Sequence, residues 1–152
     1  MTLRTILLAL HITFIGSWLG ANVVQFILTP RFDQAGGDGN VEWNRQIEWL
    51  GGRYYGTLGV LVLATGAGLV SLKSTPWTFS SGFVDVGIFT VILAAVLGAA
   101  VFAPLQKKRV AALEAGDTET ATKLKARILC FGAFDTTILL ITIVAMVYKW
   151  KG

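Results

Sequence analysis

The chain has 152 residues, of which 54% are hydrophobic and 14% charged, with a net charge of +4 and a mean hydropathy of +0.65. Soluble domains carry about 25% charged residues, so this composition excludes a water-soluble globule. The single cysteine, Cys130, excludes an internal disulfide and a cysteine-rich metal cluster within one chain. The length predicts one domain spanning residues 1–152.

Four apolar segments follow one another along the chain. Each has about 20 residues or more, enough helix to cross a hydrocarbon core of about 30 Å. Backbone polar groups in lipid must be satisfied within the segment, which predicts helices. The first segment is too long for a signal-peptide core and lacks a small-residue cleavage site, so we expect it to be retained. The predicted fold is an all-α integral membrane four-helix bundle with helices over residues 3–28, 53–72, 83–104 and 128–148.

The first connection, residues 29–52, is polar. Pro30 and the glycines at 36, 37 and 39 are expected to break helix. The stretch that follows places Trp43, Ile47 and Leu50 on one face at helical spacing. It predicts a short helix lying at the membrane interface. The second connection, "KSTPWTFSS", predicts a tight turn.

The third connection, residues 105–127, predicts helical extensions. Gly116 followed by Asp117 is typical of a helix end and a new helix start. The third and fourth helices are therefore expected to continue past the membrane and meet as a hairpin. Pro104 predicts a kink in the third helix.

Lysine and arginine counts predict the orientation in the membrane. Connections one and three lie on one side, and the termini with connection two lie on the other. The first side carries nine basic residues: Arg31, Arg45, Arg53, Lys107, Lys108, Arg109, Lys123, Lys125 and Arg127. The second side carries four: Arg4, Lys73, Lys149 and Lys151. We therefore expect connections one and three in the cytoplasm and both termini outside, in a multi-pass protein of the bacterial inner (plasma) membrane.

The first helix has two distinct faces. His11, Trp18, Asn22 and Gln25 fall within about 60° of one another and form a polar stripe, which is expected to face the bundle interior. The opposite face carries a G-x-x-x-G spacing, which predicts close helix packing. Its small and polar residues are Thr13, Gly16, Ser17 and Gly20.

Glycines also line one stripe of the second helix. They are Gly52, Gly56, Gly59 and Gly66. Such a groove fits helix packing or a flat cofactor, and glycine spacing does not separate the two.

His11 is the only histidine of the chain, and it lies in an apolar helix. Asp135 of the fourth helix is predicted at a similar depth, and an unpaired carboxylate in hydrocarbon is costly. We therefore expect a buried pair in which Asp135 accepts from one ring nitrogen of His11. The other nitrogen is then available to a metal, a haem iron or a proton. The alternative is a polar contact that only fixes helix register.

Three stretches together resemble one group of small bacterial membrane proteins. They are "LHITFIGSWLG", "GRYYGTLGVLVLATGAGLV" and the closing "DTTILLITIVAMVYK". The group comprises an uncharacterised four-helix predicted integral membrane protein family, the copper-resistance D-like proteins and the HemJ-type protoporphyrinogen oxidases. The resemblance implies haem b or a metal on His11, copper handling, or an oxidoreductase-like role.

Two functions therefore stay open. In the first, a midplane polar cluster of His11 and Asp135, with Trp18, Asn22 and Gly66 beside it, binds haem b or a metal or relays protons in a redox context. In the second, the chain is a structural accessory subunit that docks on a larger membrane complex. A homo-oligomer or larger complex within the lipid bilayer is expected. The chain lacks G-x-S-x-G and a second histidine for a zinc site, and its basic third connection lacks the aromatic residues typical of nucleic-acid binding.

Overall fold

Four long helices form the described part of the computed structural model, which covers residues 2–72 and 76–148. They are α1 (Leu3–Ala35), α2 (Gly37–Ser71), α3 (Gly82–Glu114) and α4 (Thr118–Tyr148), and each is long and apolar enough to cross a membrane. Large apolar side chains are exposed along them, including Ile12, Val60 and Phe89, each more than half exposed. Such surfaces suit lipid contact, so the chain is a multi-pass membrane protein and a helix bundle. Three basic residues used for the orientation, Lys73, Lys149 and Lys151, lie outside the described residues.

Helices α2 and α3 each contain one π-helical turn. In α2 it spans Leu50–Tyr54, and in α3 it spans Gly98–Phe102. A π turn adds a residue to the helix and so shifts the faces of everything that follows. The turn in α3 directly precedes Pro104, where the sequence predicts a kink. A proline ring clashes with the preceding turn of a regular α-helix, and wider local winding relieves that clash.

The predicted break in the helix occurs at Gly36 and Gly37, but the prediction is wrong for Pro30 and Gly39, which lie within helices. Helix α1 continues through Pro30 to Ala35, and α2 begins immediately after Gly36. The chain reverses at Gly36 and Gly37, whose φ angles of 65° and 63° favour glycine. The expected interfacial helix is instead the first part of α2.

An aromatic contact holds these two helix ends together. The ring of Trp43 stacks on Phe32 with centroids 4.9 Å apart, and its Nε1 donates to Oγ1 of Thr29 at 3.1 Å. A proline inside a helix removes a backbone hydrogen bond and clashes with the preceding turn. Helix α1 nevertheless continues past Pro30, and the contacts of Trp43 join its end to the start of α2, which sequence pattern alone does not reveal.

The predicted hairpin between the third and fourth helices is confirmed. Helix α3 ends at Glu114 and α4 begins at Thr118. Gly116 has a φ of 72°, and Oδ1 of Asp117 accepts from the backbone N–H of Thr120 at 3.0 Å. This is the N-cap hydrogen bond that the Gly-Asp pair predicts. We call the end of the bundle that contains Gly36 and Gly116 the hairpin end.

Glycines bring the helices into contact along two pairs. In the α1–α2 pair, Gly59 lies against Trp18 and Gly66 lies against His11. In the α3–α4 pair, Gly87 lies against Met146. A buried contact of Trp18, Leu58 and Leu139 joins the two pairs. The core therefore follows the polar face of α1, as the stripe predicts.

Four other glycines do not pack as predicted. A Cβ added at Gly16, Gly20, Gly52 or Gly56 would meet no neighbouring atom within 4 Å. The face of α1 opposite to the polar stripe is therefore uncovered within the described ranges. Only the half of the α2 stripe at Gly59 and Gly66 forms a packing groove.

Candidate functional site

A cavity of about 140 Å³ lies between the four helices. Trp18 of α1 lies at its inner end, and Arg109 of α3 lies toward the hairpin end. Its walls are mainly apolar, with Phe26 and Phe102 among them. A mostly apolar cavity with a few converging polar groups is the usual form of a binding site.

The inner half of the cavity contains a directed chain of hydrogen bonds. Gln25 Nε2 donates to the hydroxyl of Tyr55 at 2.6 Å, and this hydroxyl donates to Oδ1 of Asn22 at 2.7 Å. Asn22 Nδ2 donates in turn to Oγ1 of Thr136 at 3.0 Å. These hydrogen bonds hold the Asn22 side-chain amide on both sides, at Oδ1 and at Nδ2.

Asp135 lines the cavity next to this chain. Its carboxylate is half-buried and lies beside the amide of Asn22 and near Tyr55. None of the ion pairs among residues 2–72 and 76–148 includes Asp135. Its described polar neighbours are therefore uncharged groups that can donate or accept hydrogen bonds.

His11 binds a different residue from the one predicted. Its Nδ1 lies 2.9 Å from Oγ1 of Thr65, and the hydroxyl of Thr65 donates to the carbonyl of Leu61 at 2.7 Å. A threonine hydroxyl has one proton, so His11 Nδ1 is the donor in this pair and Nε2 is left as the acceptor. The ring packs on Gly66, with Cε1 3.2 Å from where a Cβ would lie.

The predicted pair of His11 and Asp135 does not form. Asp135 lies beside Asn22, which is eleven residues after His11 in α1, a distance of about 16 Å along a helix. The prediction counted equal depths from the ends of two apolar segments. Those ends do not fix how far one helix slides along its neighbour, and here side-chain contacts set the register.

The structure therefore divides the predicted site residues into two groups. Trp18, Asn22 and Asp135 line the cavity, whereas His11 and Gly66 lie together beyond Trp18. A porphyrin does not fit between His11 and Gly66, because their atoms are already in contact. In the part of the chain that is described, no three His, Cys, Asp or Glu residues are grouped to hold a metal ion. Haem b or a metal on His11 stays a prediction that this arrangement does not support.

The polar residues at the hairpin end of the cavity were not among the predicted site residues. They are Glu48 of α2 and Gln106 and Arg109 of α3. Glu48 lies one turn after Asn44, and Arg109 lies one turn after Gln106. This i, i+3 and i, i+4 spacing was the available signal, but it fell in a segment expected to be an interfacial helix and in an extension expected outside the membrane.

An ion cluster borders this end of the cavity. Arg109 Nη2 lies 2.6 Å from Oδ1 of Asp33, and Lys125 Nζ lies 2.9 Å from Oδ2. The Arg109 side chain is only 3% exposed. The cluster joins α1, α3 and α4 through one carboxylate.

Comparison with protein-family models, with curated proteins and with solved structures finds no match to this chain. The relation to the copper-resistance D-like and HemJ-type proteins stays a prediction.

Proposed function

We propose that the chain is a proton-transferring membrane protein in which Asp135 gains and loses the proton. The observation that carries this proposal is the position of Asp135 in a mainly apolar cavity without a basic partner in the described residues. Ionisable groups inside membrane helices are costly and mark proton relays or ion pathways. Asn22, Tyr55 and Thr136 supply neutral hydrogen-bonding groups next to the carboxylate.

The donor set around Asp135 favours a proton over a metal. Protein metal sites use several ligands, commonly three or four. Asn22 supplies an amide and Tyr55 a phenol, both already engaged with each other. A carboxylate in such surroundings exchanges a proton without needing further ligands.

The proposed location is the bacterial inner membrane, with the hairpin end in the cytoplasm and both termini outside. Basic residues support this orientation, because they concentrate at the hairpin end. Lys107, Lys108, Lys123 and Arg127 all belong to the two helices that meet there.

Carbodiimide labelling tests the role of Asp135. Dicyclohexylcarbodiimide enters apolar sites and reacts with protonated carboxyl groups, and the adduct is located by mass spectrometry of the peptide. We expect labelling at Asp135 that increases as the pH is lowered and is lost in Asp135→Asn. Asp85→Asn is the matched control, because Asp85 is an exposed carboxylate at the start of α3. An Asp135 that stays unlabelled at every pH in folded protein would overturn the proposal.

A second candidate function is the structural accessory subunit. The uncovered face at Gly16 and Gly20 supports it, because small residues four apart let another helix approach closely. This face would bind a helix of a second copy or of a larger membrane complex. Self-association in lipid vesicles tests this candidate, with Gly16→Ile and Gly20→Ile as the variants that should weaken it.

A further inference from the structure

Two buried polar atoms at the hairpin end of the cavity have no hydrogen-bond partner among the described residues. They are Oε1 of Gln106 and Nε of Arg109, in residues that are 4% and 2% exposed. Both residues line the cavity and lie one helical turn apart on α3. A buried donor or acceptor without a partner costs about 1–3 kcal/mol, so a bound group is expected there.

The remaining atoms of both side chains fix their orientation. Gln106 Nε2 donates to the carbonyl oxygen and to Oδ1 of Asn44, each at 3.0 Å. Asn44 Nδ2 donates to Asn40, so Oδ1 of Asn44 is an acceptor and the Gln106 amide cannot be reversed. Arg109 is held through Nη2 by Asp33. Neither side chain can turn to satisfy its free atom without breaking another bond.

A partner of Arg109 Nε must accept a hydrogen bond, and a partner of Gln106 Oε1 must donate one. Water does both and still has one further proton and one lone pair. A cavity needs about 10–15 Å³ to hold one water molecule with two to four polar partners, and this cavity has about 140 Å³. There is therefore space for several water molecules between these atoms and the inner end.

A second carboxylate lies in the same cavity. Glu48 of α2 is half-buried, and no ion pair of the described chain includes it. It follows Asn44, the residue that orients Gln106, by one turn of the same helix. Because α2 begins at the hairpin end, Glu48 lies about one turn deeper in the cavity than Asn44 and Gln106.

We propose that Gln106 and Arg109 hold bound water that carries protons from the hairpin end to Glu48, from which they reach Asp135. This inference rests on the proposed function, since it supplies the route to Asp135. A hydronium ion at the hairpin end gives a proton through the bound water to Glu48. Glu48 then gives its proton to a water molecule of the cavity, and one O–H bond forms on Asp135 as one breaks on that water. Arg109 and Gln106 are positioning residues, because they orient the water and do not exchange the proton.

The charged and titratable groups along this route come from three helices. They are Glu48 and Tyr55 of α2, Arg109 of α3 and Asp135 of α4. Helix α1 contributes the neutral Trp18, Asn22, Gln25 and Thr29. Its Asp33 pairs with both Arg109 and Lys125 at the hairpin end.

Infrared spectroscopy of the full chain in lipid tests the route. The carbonyl stretch of a protonated Asp135 is identified by its loss in Asp135→Asn, and its shift after mixing with D2O gives the exchange rate of the carboxyl proton. We expect Glu48→Gln and Gln106→Leu each to slow this exchange at least about tenfold. Glu42→Gln is the matched control, because Glu42 is an exposed carboxylate of the same helix, and its exchange rate is expected to be that of the parent.

The possible results separate the two proposals. If the Asp135 band is present but exchanges at the parent rate in Glu48→Gln, the water route is wrong and proton transfer at Asp135 stands. If no band depends on Asp135 at any pH, the proposed function itself fails. Glu48→Gln decides the route even if Gln106→Leu does not fold, because Glu48 makes no described ion pair that folding would lose.

Discussion

His11 donates from Nδ1 to the hydroxyl of Thr65 at 2.9 Å, so the one histidine of the chain joins α1 to α2. The Thr65 hydroxyl donates a hydrogen bond to the Leu61 carbonyl. The contact fixes both the tautomer of His11 and the register of two helices. Gly66 lies against the ring, and a Cβ atom there would be only 3.2 Å from Cε1 of His11.

Thr65→Val is expected to lower the free energy of unfolding by about 1 kcal/mol, the size of a hydrogen bond between membrane helices. The valine side chain keeps the shape of threonine, but its methyl group accepts no hydrogen bond from His11. A double-mutant cycle measured by denaturant titration should show coupling between His11→Ala and Thr65→Val. The same cycle between His11→Ala and Asp135→Ala should show none, and a clear coupling there would restore the pair that the sequence predicts.

The hydrogen-bond chain through Tyr55 gives a second prediction. Tyr55→Phe removes the hydroxyl and leaves Gln25 Nε2 and Asn22 Oδ1 without their partners. We expect a loss of about 1–2 kcal/mol in unfolding free energy and faster carbodiimide labelling of Asp135, because the Asn22 amide becomes free to turn. Tyr54→Phe is the control, since its hydroxyl makes one long bond of 3.3 Å to the Ser17 carbonyl. Equal effects of the two substitutions would contradict the proposed role of the hydrogen bonds through Tyr55.

Sequence periodicity predicts much of this fold but only part of the site. The polar stripe of α1 faces the interior because burying His11, Trp18 and Asn22 away from lipid is favourable whatever the neighbours are. Continuity at Pro30 was not predictable, because it depends on the stacking of Phe32 on Trp43, which are brought together only by the fold. The pairing of His11 with Thr65 was missed for a related reason. Helix register depends on contacts between faces, and a sequence pattern identifies faces without setting their relative height.

The ion cluster at the hairpin end predicts a large effect from one substitution. Asp33→Ala removes the shared partner of Arg109 and Lys125 and leaves a guanidinium that is almost fully buried. Breaking a buried pair from one side costs about 3–5 kcal/mol of unfolding free energy. Glu114→Ala, which breaks the exposed pair with Arg45, is the matched control and should have little measurable effect. A small loss in Asp33→Ala would show that water reaches Arg109 at this end.

Asp117 gives a prediction about pH outside the membrane-spanning helices. Hydrogen bonds from the side chain and backbone of Thr120 lower the pKa of the Asp117 carboxyl below that of an ordinary aspartate. The charged form is therefore favoured in the folded hairpin, so its stabilising effect is present above the unfolded pKa and is lost as the pH falls below about 4. Hydrogen exchange of the Thr120 amide should accelerate over this range relative to its intrinsic rate. Asp117→Asn keeps a cap without a titrating group and should remove this component of the pH dependence.

Substitutions at the uncovered glycines of α1 are expected to change self-association without changing the stability of the single chain. A Cβ atom added at Gly16 or Gly20 meets no neighbouring atom within 4 Å, so we expect Gly16→Ile and Gly20→Ile to leave the packing within the chain in place. If the face binds a second copy, the added bulk prevents close approach of the two helices.

Cys130 is the only cysteine and is exposed, so energy transfer between dyes attached there reports self-association in vesicles. We expect energy transfer to fall in both variants, with unfolding unchanged apart from the small effect of glycine replacement on helix propensity. Ala133→Ile, which adds bulk to an exposed position of α4, should leave the transfer at the parent level. Energy transfer that stays at the parent level in Gly16→Ile and Gly20→Ile would mean that the dyes meet by crowding and that the Gly16 face contacts lipid alone.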